Sequence, residues 1–247
     1  MTCHAIICDW NGTVIEYRDE KPILESIATD LFKACIPFHP IRMVRVLKAR
    51  GELETLYREG CHETEFDFVR EMFRIYNESV IRGLPLSFIH RSVAKYARRR
   101  QTQARLDHRV LRPIKECHQI GKTIGIFSAG YKYGIERILM VAGYKEHFDF
   151  CEAGDLKEEG GRAIEFELNI YKNKPRLLLE LLRVRNMDES MVAYVGDSED
   201  DEGCFEMVRY PVVAFLAAEE LKERYAQKYK AFVPRDEREL AHYFSHA

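Results

Sequence analysis

The sequence predicts an α/β fold: a mostly parallel sheet with helices on both faces, interrupted after its first strand by an all-helical insertion. Three observations carry this. From about residue 103 onward, short apolar runs alternate with amphipathic stretches, the pattern of parallel strands joined by helical crossovers. An earlier apolar run, Ala5-Ile6-Ile7-Cys8, has the same buried-strand character but stands far upstream of the others. Between them the chain keeps helical spacing and shows no strand-like alternation. The expected division is therefore a sheet-forming core of residues 1–16 and 103–247, and a helical insertion of residues 17–102.

Within the insertion, Ile23, Ile27, Leu31 and Ala34 form a first helical stripe. Ile41, Val44 and Leu47, followed by Leu53 and Leu56, form a second. Phe66, Val69, Phe73 and Tyr76 form a third, and Leu86, Ile89, Val93 and Tyr96 a fourth. Pro22, Pro40 and Pro85 stand where helices begin, and Gly51, Gly60 and Gly83 punctuate them. The run Tyr96-Ala97-Arg98-Arg99-Arg100 reads as a solvated helix end, with anion binding the lesser reading.

Past the insertion, Val110 to Ile120 is an amphipathic helix closed by Gly121, and Thr123 to Phe127 is a buried strand. Tyr133 to Val141 is a helix closed by Gly143, and Phe148 to Cys151 a strand. Glu159-Gly160-Gly161 before the alternating Ile164 to Leu168 predicts a small hairpin. Pro175 to Leu182 is a helix, Met191 to Val195 a strand, Phe205 to Val208 helical and Val212 to Phe215 a strand. Leu221 to Tyr229, Ala231 to Val233 and Glu237 to Phe244 complete the pattern.

Composition narrows the partners. A formal net charge of −2 argues against general affinity for nucleic acid or acidic membranes. Seven scattered cysteines without a Cys-x-x-Cys pair read as reduced thiols in a cytoplasm, not as a zinc site or disulfide framework. No apolar run is long enough to span a bilayer, and the first residues lack a signal-peptide pattern.

Three strand ends and one helix start carry chemistry. Cys8 is followed at once by Asp9-Trp10-Asn11-Gly12-Thr13. The strand ending at Phe127 is followed by Ser128-Ala129-Gly130. Val195 is followed by Gly196-Asp197-Ser198-Glu199-Asp200-Asp201, and Lys172-Asn173-Lys174 precedes Pro175. Taken singly, each has an ordinary reading: an Asn-Gly turn, a serine turn or cap, surface lysines, a polar loop capping a helix. Asp149, Asp155 and Asp188 keep such readings. Taken together, these groups share one edge of a parallel sheet, where open α/β sheets bind ligands. Asp9 is ionised at neutral pH, so it acts as a nucleophile without a general base. Asp197, with Asp201 or Asp200, can hold Mg²⁺. A lysine offsets the charge on Asp9 and on phosphoryl oxygens, and Ser128 with backbone N–H groups near Trp10 and Asn11 can hydrogen-bond them. This set suits phosphoryl transfer by positioning and electrostatics.

That order of motifs resembles the haloacid dehalogenase-like (HAD) superfamily, over roughly residues 1–16 and 103–247. The resemblance implies a Rossmann-like core with a helical cap inserted after the first motif. It implies Asp9 as nucleophile, Thr13 as a support of the loop, and phosphate binding by Trp10, Asn11, Gly12, Thr13, Ser128, Ala129 and Lys174. Lys174 is the balancing cation, with Lys172 as the fallback. Asp9, Asn11 through its backbone carbonyl, Asp197 and Asp201 contact Mg²⁺ directly or through water. The hairpin near 155–168 is similar to a feature of phosphoserine-phosphatase-like members. One position departs from the phosphatase pattern: Asn11 stands where those enzymes carry an acid–base aspartate, and an amide can neither protonate a leaving group nor deprotonate water. The expected activity is a slow, Mg²⁺-dependent hydrolysis of a small phosphorylated metabolite through an aspartyl-phosphate. Two alternatives stand beside it. A phosphonatase-type carbon–phosphorus hydrolase needs an insertion lysine, such as Lys21, Lys33, Lys48 or Lys95, near the substrate. A phosphate-binding or signalling protein with a degenerate site needs no turnover.

Overall fold

The computed structural model describes residues 3–17, 19–35, 40–59 and 65–246; the side chains of residues 59, 65, 66 and 172 lie outside the described set. The expected stripe residue Phe66 and the fallback cation Lys172 therefore fall outside it, as does Gly60.

Strand β1 (Ala5–Cys8) leads into four helices of the insertion: α1 (Lys21–Cys35), α2 (Pro40–Glu59), α3 (Glu65–Tyr76), which runs on into a π-helical turn at Asn77–Ile81, and α4 (Leu86–Ala97). A short helix α5 (Arg100–Gln103) and α6 (His108–Gln119) return the chain to the sheet. Then come β2 (Thr123–Tyr131), α7 (Lys132–Ala142), β3 (Phe150–Gly154), the hairpin β4 (Leu156–Glu159) and β5 (Arg162–Phe166), α8 (Asn169–Val184) and β6 (Val192–Gly196). The short α9 (Glu202–Phe205), β7 (Tyr210–Val213), α10 (Glu219–Tyr229) and α11 (Glu237–His246) end the chain.

The main sheet has the order β3-β2-β1-β6-β7, every pair parallel. Central β1 buries both faces. Ile6 and Cys8 face the cluster that holds Val110 and Ile114 of α6, Ile135 of α7 and Leu240 of α11. Ala5 and Ile7 face Leu178 and Leu182 of α8, Phe205 of α9 and Tyr225 of α10. Chain order leaves β1 first for β2 and β3 and only later for β6 and β7. The switch point therefore lies beside β1, at the edge where its carboxyl end opens.

The insertion leaves and rejoins the sheet through two adjacent segments. Glu16 N–H donates to Arg105 C=O, Asp107 N–H donates to Val14 C=O, and Ile15 bridges Leu106. It is also tied to the hairpin by backbone pairing: Gly83 N–H to Ala163 C=O at 2.8 Å, Ala163 N–H to Leu84 C=O at 2.9 Å and Leu86 N–H to Gly161 C=O at 3.0 Å. Gly160 and Gly161 make the hairpin turn with φ of 57° and 73°, the left-handed conformation that glycine adopts without strain.

Several expectations need correction. Helix α2 runs unbroken through Gly51 and buries Val46, Ala49, Leu53 and Leu56. Ile41, Val44 and Leu47 face solvent at 75%, 63% and 52% exposure. The helix carries two apolar stripes, and the one that packs on α1 and α3 wins burial. In α1, Cys35 is buried and Ala34 is exposed. β2 continues past Phe127 to Tyr131, with an irregularity between Ser128 and Tyr131, so Ser128 lies within the strand. α9 stops at Phe205, before Val208, and the last strand is Tyr210–Val213.

Candidate active site

Asp9 follows β1 with its N–H donated to Val195 C=O, so the neighbouring strand fixes where its side chain begins. The residue is 6% exposed. Its Oδ2 meets Lys174 Nζ at 2.9 Å, and its Oδ1 has no hydrogen-bond partner. Lys174 comes from α8, at the point where non-helical backbone at Asn173 (φ −133°) separates Asn169–Tyr171 from the regular helix. That kink turns a residue of a surface helix inward, and Lys174 is 3% exposed.

Lys174 also meets Asp201 Oδ1 at 2.6 Å. The same oxygen accepts from Tyr194 OH at 2.8 Å. Asp201 Oδ2 accepts from the backbone N–H groups of Asp197 at 2.9 Å and Ser198 at 3.1 Å, and from Ser198 Oγ at 3.3 Å. Both oxygens are thus committed to protein donors. Asp201 acts as the brace of the loop after β6 and as a clamp on Lys174; a cation could reach it only through water. This narrows the direct-ligand reading of Asp201.

Asp197 accepts from Thr13 Oγ1 at 2.9 Å and packs on Gly12, where an added Cβ would fall on its carboxylate. Gly12 also has φ of 69°, so both space and conformation require glycine. Thr13 is fully buried and spends its hydroxyl on Asp197. That bond ties the loop after β1 to the loop after β6, and the Thr13 side chain does not line the cavity. The Trp10 indole is likewise core, at 1% exposure. Ser128 is 1% exposed and its Oγ accepts from Gly130 N–H at 3.2 Å.

Burial pushes the Asp9 carboxyl up, against the opposing pull of Lys174. Burial, then the charges of Asp201 and Asp9, pushes Asp197 well up. Burial works against the Asp201 carboxylate too, but Lys174 and Tyr194 hold it below the usual range. Burial alone would lower Lys174, yet Asp201 and then Asp9 keep its ammonium well above its ordinary value. The site therefore holds one settled ion pair, Lys174 with Asp201, and two further carboxyl groups, Asp9 and Asp197, whose charged forms lack a cation of their own.

A divalent cation would supply that charge. Asp9, Asp197 and Asp201 place carboxylate oxygens within 4.8 Å of one another; Asp9 and Asp197 are the hard oxygen ligands open to Mg²⁺, with Asp201 reached through water. The unpartnered Asp9 Oδ1 is the observation that calls for a further group there.

The residues open onto a cavity of about 750 Å³ whose lining includes Asp9, Asn11, Ser128, Ala129, Lys174 and Asp197. Two contributors had no sequence motif. Tyr194 sat inside an apolar strand, and Glu20 inside the expected insertion. Glu20 is 5% exposed; its Oε1 accepts from Asn11 Nδ2 at 3.2 Å and its Oε2 has no partner. Burial, only partly offset by the Asn11 amide, pushes its carboxyl up to about 7. The signal for Glu20 was its place in Asp19-Glu20-Lys21-Pro22, one residue ahead of α1 and near the Asp9 loop. None of Lys21, Lys33, Lys48 and Lys95 lines the cavity. Lys21 stacks on Tyr57 with Nζ 3.4 Å from the ring centre, and Lys48 and Lys95 pair with Glu52 and Asp30. Arg99 of the basic run donates to Ser26 Oγ at 3.0 Å.

Among the described residues, no helix is long and apolar enough to cross a membrane. No curated protein matches the sequence. The fold is similar to a substrate-bound phosphoserine phosphatase, with a TM-score of 0.61 and 17% identity over 98% of this chain and 99% of that one. It is similar to a protein of unknown function from Bordetella pertussis Tohama I, with a TM-score of 0.65 and 15% identity over 94% of this chain and 98% of that one. A phospho-aspartyl intermediate analogue of phosphoserine phosphatase matches with a TM-score of 0.58 and 17% identity, covering 98% and 99%. At these identities the likeness speaks for the fold. The model of haloacid dehalogenase-like hydrolases matches residues 6–206, so all of the strand-end motifs and Lys174 fall inside one match: the chain belongs to the haloacid dehalogenase-like hydrolase family.

Proposed function

We propose that the protein is a Mg²⁺-dependent hydrolase of phosphomonoesters of low molecular weight, working through an aspartyl-phosphate on Asp9. The carrying observation is the asymmetry of Asp9: one oxygen is held by Lys174 while the other, buried, has no partner. Asp9 oxygen attacks phosphorus as the ester oxygen departs with the bonding pair. Water then cleaves the acyl phosphate and restores the carboxylate. Ser128 and Lys174 hold the phosphoryl oxygens, with backbone of the Asp9–Thr13 loop. Asp9, Asp197 and the Asn11 carbonyl would hold Mg²⁺, with Asp201 behind them. Mg²⁺ would offset the charge of substrate and carboxylates as they approach. Asn11 supplies no proton at either step, so esters of acidic alcohols are the better substrates.

The division into a core of 1–16 and 103–247 and a cap of 17–102 belongs to this reading. Support comes from the neck where Val14–Glu16 runs beside Arg105–Asp107. The cap contributes Val69 and Phe73 to the cavity, and so takes part in excluding water and choosing the substrate. A cytoplasmic setting fits the described cysteines, all free and buried. The phosphonatase alternative has no cap lysine at the cavity to support it.

The test is phosphate release from aryl phosphates with Mg²⁺ and with chelator. Release that requires Mg²⁺ and falls to background in Asp9→Asn supports the assignment. Equal release from wild type and Asp9→Asn removes it. In parallel, Mg²⁺ should raise the melting temperature of wild type and not of Asp197→Ala.

A further inference from the structure

We propose that the cavity selects a phosphomonoester whose alcohol portion is bulky and apolar and carries no second anionic group. This rests on the phosphatase reading and names the substrate class for it.

Size comes first. The cavity of about 750 Å³ lies in the range of ~300–1,000 Å³ that holds drug-sized ligands, far beyond a phosphoryl group on a two- or three-carbon alcohol. Val69 and Phe73 of α3, Leu168 ahead of α8, and Leu216 and Leu221 near the start of α10 give it apolar walls from three parts of the chain. Phe73 is held in place by an edge-to-face contact with Phe166 of the hairpin, at 5.7 Å between ring centres and 70° between planes. A small polar alcohol would leave these walls wetted; an apolar one would cover them.

Charge comes second. Beyond the reacting groups, the cavity is lined by Glu16, Asp19, Glu20, Glu199 and Asp200, and among the described residues Lys174 is the only cation that lines it. Lys174 is already shared by Asp9 and Asp201. Glu20 itself is buried, with its raised carboxyl anchored by the Asn11 amide, so the repulsion comes from the other four. A carboxylate or second phosphate on the substrate would enter beside Glu16, Asp19, Glu199 and Asp200, with Lys174 the one described cation of the lining and already committed, which selects against doubly anionic substrates by repulsion.

The experiment is calorimetric titration of the Mg²⁺-loaded protein with n-alkylphosphonates from methyl to octyl, and with ω-carboxyalkylphosphonates of matched length. Their carbon–phosphorus bond resists hydrolysis, so binding is read without turnover. The dissociation constant should fall by about threefold to fourfold per added methylene over several methylenes. A terminal carboxylate should weaken binding at least ~10-fold at equal length. Phe73→Ala should flatten the chain-length dependence, and Glu16→Gln with Glu199→Gln should shrink the carboxylate penalty. The wild-type series decides the matter even where a variant does not fold. Affinity independent of chain length, or carboxylated ligands bound as tightly as their parents, overturns the proposal. Chain-length-dependent binding in a protein that hydrolyses no phosphomonoester supports the cavity assignment and removes the phosphatase reading instead.

Discussion

The edge of the sheet and the outer helices of the insertion both hold ion pairs of good geometry, yet the two sets do different things. At the sheet edge Lys174 lies 2.9 Å from Asp9 and 2.6 Å from Asp201, with side-chain exposures of 4%, 8% and 0%. On α2, Arg50 meets Glu54 at the same 2.9 Å, with exposures of 77% and 67%. Distance is nearly equal; solvent is not. In water the Arg50 pair gains little that hydration did not already provide. Buried, the Lys174 cluster has no solvent to compensate its charges, so each depends on Lys174 and on the donors around Asp201. The lesson is that burial, not proximity, decides which charges are structural and which are decoration.

Deleting one buried charge should have the largest effect. Lys174→Met leaves Asp9 and Asp201 uncompensated and should lower stability by about 3–5 kcal/mol in urea unfolding. A loss no greater than that of a surface mutant would erase the distinction drawn above.

Next is the exchange of proton-carrying groups at Asn11 and Glu20. Asn11→Asp alone sets a carboxylate against Glu20 at hydrogen-bond distance, and the two would compete for one proton. Asn11→Asp with Glu20→Gln keeps a donor–acceptor pair and supplies the missing acid–base. Turnover of alkyl phosphates by the double variant should rise by about 10²-fold, with a weaker dependence on leaving-group pKa. Unchanged turnover would mean that proton transfer does not limit this enzyme.

Tyr194→Phe probes a subtler part of the cluster. It removes one donor from the charged Asp201 and leaves Lys174 in place, so about 2 kcal/mol of stability should be lost. The smallest effect is expected at Arg50→Ala, within about 0.5 kcal/mol and fading further in high salt. A larger loss there would show that the α2 surface is not simply solvated.

The sheet edge was legible in the sequence because its signals are local. A buried run that switches to Asp9, or to Gly196-Asp197, announces the strand end and its polar cargo within a few residues. Lys174 was legible as a residue beside a helix start, and the kink at Asn173 gives that reading its physical basis. Groups that act across distance were not. Glu20 meets Asn11 only because the loop after β1 folds back beneath α1, and Tyr194 is polar only at the tip of a strand residue that otherwise reads as core. The face of α2 was misread for a related reason. Ile41, Val44 and Leu47 satisfy helical periodicity as well as Val46, Ala49 and Leu53, and only the position of α1 and α3 breaks the tie. The pairing of residues 83–86 with the hairpin is a backbone event that side-chain patterns do not record.

The central place of β1 has a consequence for how the molecule assembles. Ala5 pairs with Thr123 on one side and Val192 on the other, so the innermost strand leaves the ribosome long before either neighbour. Until then Ile6 and Ile7 have no sheet to enter, while the intervening helices can form from contacts closer in sequence. Closing so long a loop adds little to the equilibrium cost, because loop entropy grows only with the logarithm of length. It weighs more on the rate, since non-local pairing must be found before it is rewarded. Contact order thus favours early condensation of the helices, and β1 gains its second neighbour only when β6 arrives, with Asp197 and Asp201 just behind it.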